Sequence, residues 1–253
     1  PPPPFFFPPP PATRDSVASR GLGDVYKRQM RGFAGFGTTL IMVPCFSLLM
    51  PPSEAVFIAL ATDVLVMIPL LPKAAMDAQW KYIWPMIIGV FFATPIGVMV
   101  LTIANPQFMK ILIAILVIGS ACLLLSGWKY QGKRANSLSF LIGAFSSVTN
   151  GATGIGGPPI AVYFIAQGMS AIRLRASLNS LGFIMEGAAA LFIYFASGVE
   201  FNILFTVFIL FPFMLLFTWV GSKIFGALDN SLFNKLILYF LVIFGFYIIV
   251  STI

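Results

Sequence analysis

The chain has 253 residues, of which 59% are hydrophobic, 15% aromatic and only 9% charged. A soluble domain carries roughly 25% charged residues, so this composition excludes that class and marks an integral membrane protein whose first partner is the lipid bilayer. The net charge of +7 does not indicate a nucleic-acid partner, because the basic residues stand singly at the ends of apolar runs; there is no histidine, and Cys45 and Cys122 lie in apolar runs without CxxC spacing, so no metal or other cofactor is expected and both thiols read as buried and structural.

Residues 1–29 open with runs of proline and phenylalanine, Pro1 to Pro4, Phe5 to Phe7 and Pro8 to Pro11, such as translated C and T tracts would give. They hold neither the apolar region of a signal peptide nor a helical apolar stripe, and are read as a non-native or disordered leader. Authentic sequence is expected from Met30. It begins with a glycine motif, Gly32-Phe33-Ala34-Gly35-Phe36-Gly37, followed by Thr38, Thr39 and Pro44. Since crossing a bilayer takes about 20 helical residues, three spans are predicted near 55–72, 82–104 and 107–127. A basic linker at 129–136 then leads to a second glycine segment at 137–168. That segment contains Gly151-Ala152-Thr153-Gly154-Ile155-Gly156 and continues into Gly157, Pro158 and Pro159. Spans near 176–197, 201–222 and 232–253 complete the chain.

The two glycine motifs are in register, 119 positions apart. One unit has been written twice: 30–128 and 137–253, each a glycine segment followed by three spans. Later landmarks match too, with Pro95, Gly97 and Lys110 against Val220, Gly221 and Lys235. The stretch 137–149, which leads into the second motif, has no counterpart in the first copy. The first arm of the first hairpin is therefore expected to be missing.

Segment 137–168 is too long for one straight helix across a core of roughly 30 Å, so it either bends across or folds back. If both glycine segments fold back, Lys73, Lys81, Lys129, Lys133, Arg134, Arg173, Arg175, Lys223 and Lys235 collect on one side and Lys110 alone on the other; if both cross, the charges divide about evenly. The positive-inside rule favours the hairpins. The expected fold is thus all-α: a polytopic membrane protein built as an inverted repeat of two halves, each one glycine-broken helical hairpin plus three transmembrane helices. Trp80, Tyr82, Trp84, Trp128 and Tyr130 fall beside the basic side as interfacial anchors.

Backbone freed by glycine is tolerated in a membrane only where it faces protein or a water-lined cavity, and paired breaks of this kind mark the binding sites of secondary carriers. After each break the chain re-enters a helix, whose first amides lack carbonyl partners and carry the positive end of the dipole. The candidate anion-binding residues are Gly35, Gly37, Thr38 and Thr39 in the first copy and Gly154, Gly156 and Gly157 in the second. Arg31 and Asn150 stand at matching positions before the motifs. A guanidinium near the membrane centre costs at least ~2.5 kcal/mol and suits an anionic partner, although Arg31 can also serve as a junction residue at the interface, and Asn150 as a half-helix cap. The alternative for the glycines is close helix packing. Asp63 and Glu186 are carboxylates well inside apolar spans, each expected to take up a proton or pair with a cation. Asp63 corresponds to Asn179 in the repeat, and Glu186 has no acidic counterpart. Asp63, Glu186 and Asn179 are the candidates for proton or ion coupling. An enzyme would need a nucleophile or a convergent acid pair, and the sequence offers neither a histidine nor a second acid obviously aligned with Asp63.

Arg31-Gly32-Phe33-Ala34-Gly35-Phe36-Gly37 with Val43-Pro44, together with Asn150-Gly151-Ala152-Thr153-Gly154-Ile155-Gly156-Gly157-Pro158-Pro159, resemble the signatures of the sulfite exporter TauE/SafE family of membrane permeases. The similarity covers about 30–253. It implies a carrier of the bacterial inner membrane, not an enzyme, moving sulfite, sulfonates or related organic anions, usually outward. Thr38-Thr39 and Pro158-Pro159 depart from the family's commoner triple-glycine form and bear on the preferred anion. The competing readings are a passive anion channel and a non-transporting scaffold, and self-association as a homo-oligomer stays open.

Overall fold

In the computed structural model, residues 37–127, 135–227 and 230–252 are described; the leader 1–29, Arg31 and Gly35 lie outside them. Every described element is helical. The order is α1 (Gly37–Leu49), α2 (Pro52–Met67), a 3-10 turn (Ile68–Leu70), α3 (Leu71–Asp77), α4 (Trp80–Ile103), α5 (Pro106–Leu125), α6 (Asn136–Thr153), α7 (Gly157–Ala166), α8 (Ala171–Ser197), α9 (Phe201–Ala227) and α10 (Asn230–Thr252). Proline sits in the first turn of α2 and α5, where no donor is lost. Asn105 caps α5 by accepting the Gln107 amide at 2.8 Å. Left-handed glycines stop α6 at Gly154 and α8 at Gly198.

Among the described residues, four runs are long and apolar enough to span a bilayer: Pro52–Asp77, Trp80–Ile103, Pro106–Leu125 and Ile172–Ser197. The α9 and α10 helices contribute the apolar stretches Phe201–Leu216 and Ile237–Thr252. Helices α2, α4, α5, α8 and α10 start one to five residues ahead of the predicted spans. The first helical turns, Ser53-Glu54 in α2 and Arg173 to Arg175 in α8, are polar, and hydropathy does not count them. The helix starts repeat along the chain: Gly37, Pro52, Trp80 and Pro106 in the first half answer to Gly157, Ala171, Phe201 and Asn230 in the second.

The most extensive helix contact is between α4 and α6, and glycine makes it. A methyl on Gly89 would stand 2.7 Å from the Phe140 carbonyl oxygen, one on Gly143 2.6 Å from the Met86 Cα, one on Gly151 2.8 Å from the Thr94 oxygen, and one on Gly97 would strike the Val148 oxygen. The residue numbers rise together on both helices, so α4 and α6 run parallel with their backbones almost touching. Such small-residue seams replace the hydrophobic effect, which lipid does not supply between helices. At the entry of α4, the Gln79 amide donates to Ser177 Oγ of α8 at 2.9 Å, which brings Lys81 to the same end as Arg173 and Arg175.

Buried side chains form two apolar clusters. One joins α1, α2, α5 and α10 with Val98 and Leu101 of α4 and Ala189 to Ile193 of α8; the other joins Ile83 to Val90 of α4, Ile160 to Phe164 of α7 and Leu174 to Met185 of α8. The outer face is studded with large apolar side chains such as Phe92, Phe195, Phe208 and Phe246. Cys122 lies on that face, and Cys45 is half-buried. This corrects the expectation of two buried thiols: an apolar run in a membrane helix is shielded by lipid as readily as by protein, so hydropathy does not separate the two.

Candidate functional site

The second glycine motif uses its three glycines for three purposes. Gly151 is inside α6 and belongs to the seam with α4. Gly154 ends α6 in the left-handed region, φ 69°, where its amide still reaches the Asn150 carbonyl at 2.7 Å. Gly156 precedes α7, and a methyl there would sit 2.5 Å from the Ser146 carbonyl oxygen and 2.7 Å from the Asn150 Cβ. The chain then reverses. The hydroxyls of Ser139, near the start of α6, and Tyr163, midway along α7, are 2.6 Å apart and buried; a helix continuing straight on would hold them about 36 Å apart at 1.5 Å per residue. Segment 137–168 is a hairpin.

Ile155, Gly156 and Gly157 are all buried. Among the described residues no carbonyl or side chain accepts from their amides, whereas Gly154 is bonded back into α6. Pro158 and Pro159 follow, so the first turn of α7 offers the Gly157 amide and none from the next two positions. Three successive buried donors at the positive end of a helix are chemistry suited to an anion. The half-helix start has no side-chain cap, so Asn150 does not cap it. Asn150 is fully buried and donates instead to the Met185 carbonyl of α8, at a long 3.4 Å.

The hairpin tip meets α1 and α2. A methyl on Gly154 would lie 2.9 Å from Cγ2 of Val43 in α1 and within van der Waals contact of Val56 and Leu60 in α2. Helix α1 starts at Gly37, the third glycine of its own motif, as α7 starts just after Gly156. One and a half turns before Val43, the Thr38 hydroxyl donates to Asp63 Oδ1 at 3.0 Å. Thr39 is buried.

Asp63 and Glu186 fall near the middle of their spans, 5% and 1% exposed, on two helices, α2 and α8, that pack against each other, with their carboxyls near enough to interact. This corrects the expectation that no second acid aligns with Asp63. The register of α8 on α2 pairs them, and no spacing in the sequence encodes that register. Glu186 follows Met185, whose carbonyl receives Asn150 and whose Cε would lie 2.9 Å from a methyl on Gly156. The site thus runs without interruption from Gly156 through Asn150, Met185, Glu186 and Asp63 to Thr38. Asn179 is buried on α8 two turns from Glu186 and shares no hydrogen bond with either acid among the described residues. Sequence reading passed over Ser146 and Ser147, whose buried hydroxyls, like those of Thr62 and Ser180, have no partner among the described residues; hydroxyls in a glycine-rich α6 resemble ordinary small-residue packing, and burial alone sets them apart. No group of three or more metal-ligating His, Cys, Asp or Glu side chains occurs among the described residues.

A family model described as sulfite exporter TauE/SafE matches residues 29–248. Comparison with curated proteins and with solved structures returned no significant match.

Proposed function

Because the chain belongs to the sulfite exporter TauE/SafE family of membrane transporters, which are not enzymes, we propose that it carries a small anion, sulfite or an organic sulfonate, outward across a bacterial inner membrane. The observation that carries this reading is the seating of the second glycine break on α1, Gly154 against Val43, with the buried amides of residues 155–157 beside it unpartnered among the described residues. An oxyanion of sulfur presents several acceptor oxygens and little apolar surface, which suits backbone donors with hydroxyls close by. In this reading the two halves are an inverted repeat that rocks around the anion. Arg31, Gly35, Gly37, Thr38 and Thr39 supply donors from the first copy and the amides of Ile155, Gly156 and Gly157 from the second, with Gly154 and Asn150 shaping the turn that presents them. The recurring helix starts and the folded-back second hairpin support that arrangement.

Purified protein in proteoliposomes tests it. Sulfite or sulfonate flux should saturate with concentration, and Gly156→Leu, whose side chain would fill the space against Ser146 and Asn150, should abolish flux in protein that stays monodisperse. Linear, non-saturating flux would indicate a channel. Flux unchanged in Gly156→Leu would remove the break from the mechanism.

A further inference from the structure

We propose that Asp63 and Glu186 act as one proton-binding unit, and that Thr38 links it to the anion site, so that this carrier moves its anion together with a proton; the coupling rests on the reading above, the shared proton does not.

Two buried carboxyls near enough to interact require a positive counterpart. Ionised together, they repel across a medium of low dielectric, and each alone is already costly to desolvate. Asp63 Oδ2 and Glu186 Oε2 are fully buried and have no hydrogen-bond partner among the described residues, so both acids keep an oxygen free to hold a proton.

No described cation is placed to neutralise them. On α2, Glu54 is nine residues from Asp63, about 14 Å along the helix, and Lys73 and Asp77 lie beyond the 3-10 turn on α3. On α8, Arg173 and Arg175 are exposed and at least eleven residues from Glu186, about 16 Å or more, while Tyr194 is about 12 Å along. The α1 helix brings Cys45, seven residues past Thr38, and α7 brings Tyr163, which is bonded to Ser139. The described side chains of α9 and α6 include no titratable group; those of α4 are Lys81 and Tyr82 at its entry, and those of α5 are Lys110 and Cys122. A proton shared by the pair is the simplest neutraliser.

Thr38 gives the unit a lever. Its hydroxyl, one residue into α1, donates to Asp63 Oδ1, a bond that is strongest to an ionised acceptor. When a second proton enters from the aqueous phase, the pair becomes a neutral diacid. Asp63 then no longer competes for the Thr38 proton, and the hydroxyl is released toward an anion at the start of α1. The same step removes the negative charge that would repel that anion. Anion binding therefore takes up a proton, and by reciprocity acid tightens anion binding. A singly charged anion would cross with one proton and no net charge.

Two measurements on the full purified chain decide this. Infrared difference spectroscopy in detergent should show a buried carboxylic-acid C=O band at neutral pH that grows when sulfite is added, and that shifts or disappears in both Asp63→Asn and Glu186→Gln. Absence of any such band in the native protein would overturn the shared proton, whether or not the protein transports. In proteoliposomes with an internal pH dye, native protein should move about one proton per sulfite. In Glu186→Gln the number of protons moved per sulfite should fall at least ten-fold, whatever sulfite flux remains. Native proton-to-anion stoichiometry in Glu186→Gln, or native flux that follows sodium and ignores pH, would overturn the coupling. The band present without any anion flux would leave the proton pair standing and sink the anion reading instead.

Discussion

The contact between Gly154 and Val43 seats the second glycine hairpin on α1, and a double-mutant cycle measures it. Gly154→Ala has two separable costs. Its backbone is left-handed at φ 69°, which a side chain opposes by roughly 1–2 kcal/mol. The new methyl would also lie 2.9 Å from Val43 Cγ2, and an overpacked core typically loses about 1–3 kcal/mol. The single substitution should therefore destabilise by about 3 kcal/mol. Val43→Ala removes two methyl groups from a fully buried position, leaving a small cavity worth ~1 kcal/mol; transfer to water adds little, since lipid is as apolar as the protein interior. In the double variant the overlap vanishes and the new methyl partly fills the cavity, while the backbone strain stays. The sum of the singles is about 4 kcal/mol, and the double variant should cost about 2, a favourable coupling of ~1–2 kcal/mol. Reversible unfolding in mixed micelles, followed by far-UV circular dichroism, gives all four corners. Additivity within ~0.5 kcal/mol would mean that the methyls do not share space, and the seating of Gly154 on Val43 would be refuted.

Three further outcomes are expected. Gly97→Ala puts a methyl against backbone atoms of Val148 and Ala152, which cannot swing away, and should destabilise by about 2–3 kcal/mol, whereas Gly119→Ala, with nothing within 4 Å, should gain a few tenths to ~1 kcal/mol from helix propensity; equal thermal shifts in detergent would contradict the α4–α6 seam. Ser139→Ala or Tyr163→Phe alone strands a buried hydroxyl and should cost ~1–2 kcal/mol, while the double variant, which removes both partners of the 2.6 Å pair, should recover most of it; additive losses in the same unfolding assay would argue against the fold-back of α7. Asn105→Ala removes the cap on Gln107 and should cost about 1 kcal/mol without altering sulfite flux, and a flux defect in that variant would mean that the α5 entry takes part in transport.

Much of the helical content was legible because a membrane helix needs length and apolar composition together, and few other structures satisfy both. The fold-back of residues 137–168 was legible from loop charges alone, and the Ser139–Tyr163 pair agrees with it. Individual glycines were another matter. Gly151 packs against α4, Gly154 takes a left-handed turn and Gly156 makes room for a carbonyl, yet all three read alike in a motif, since the absence of a side chain does not say which neighbour requires it. The partnership of Asp63 with Glu186 was not legible. The two residues are 123 positions apart and share no motif, so only the packing of α8 on α2 unites them. The lipid-facing Cys122 shows the same limit from the other direction.

The placement of this polar layer follows from how the two apolar clusters divide the helices. Along α8, Leu174 to Met185 belong to one cluster and Ala189 to Ile193 to the other, with Glu186 between them. Along α4, Ile83 to Val90 and Val98 to Leu101 divide in the same way, and across the glycine break Ile155 belongs to one cluster and Ile160 to the other. A break or a buried acid within either cluster would interrupt its packing directly. At the boundary it displaces few apolar contacts, and the cost of desolvating polar groups falls where the two bodies are least tightly joined. Any relative movement of the clusters must therefore open or close along the surface that holds the free amides of residues 155–157 and the Asp63–Glu186 pair. A carrier needs its site on such a surface, because binding energy can shift an equilibrium only where the two states differ in contact with the ligand.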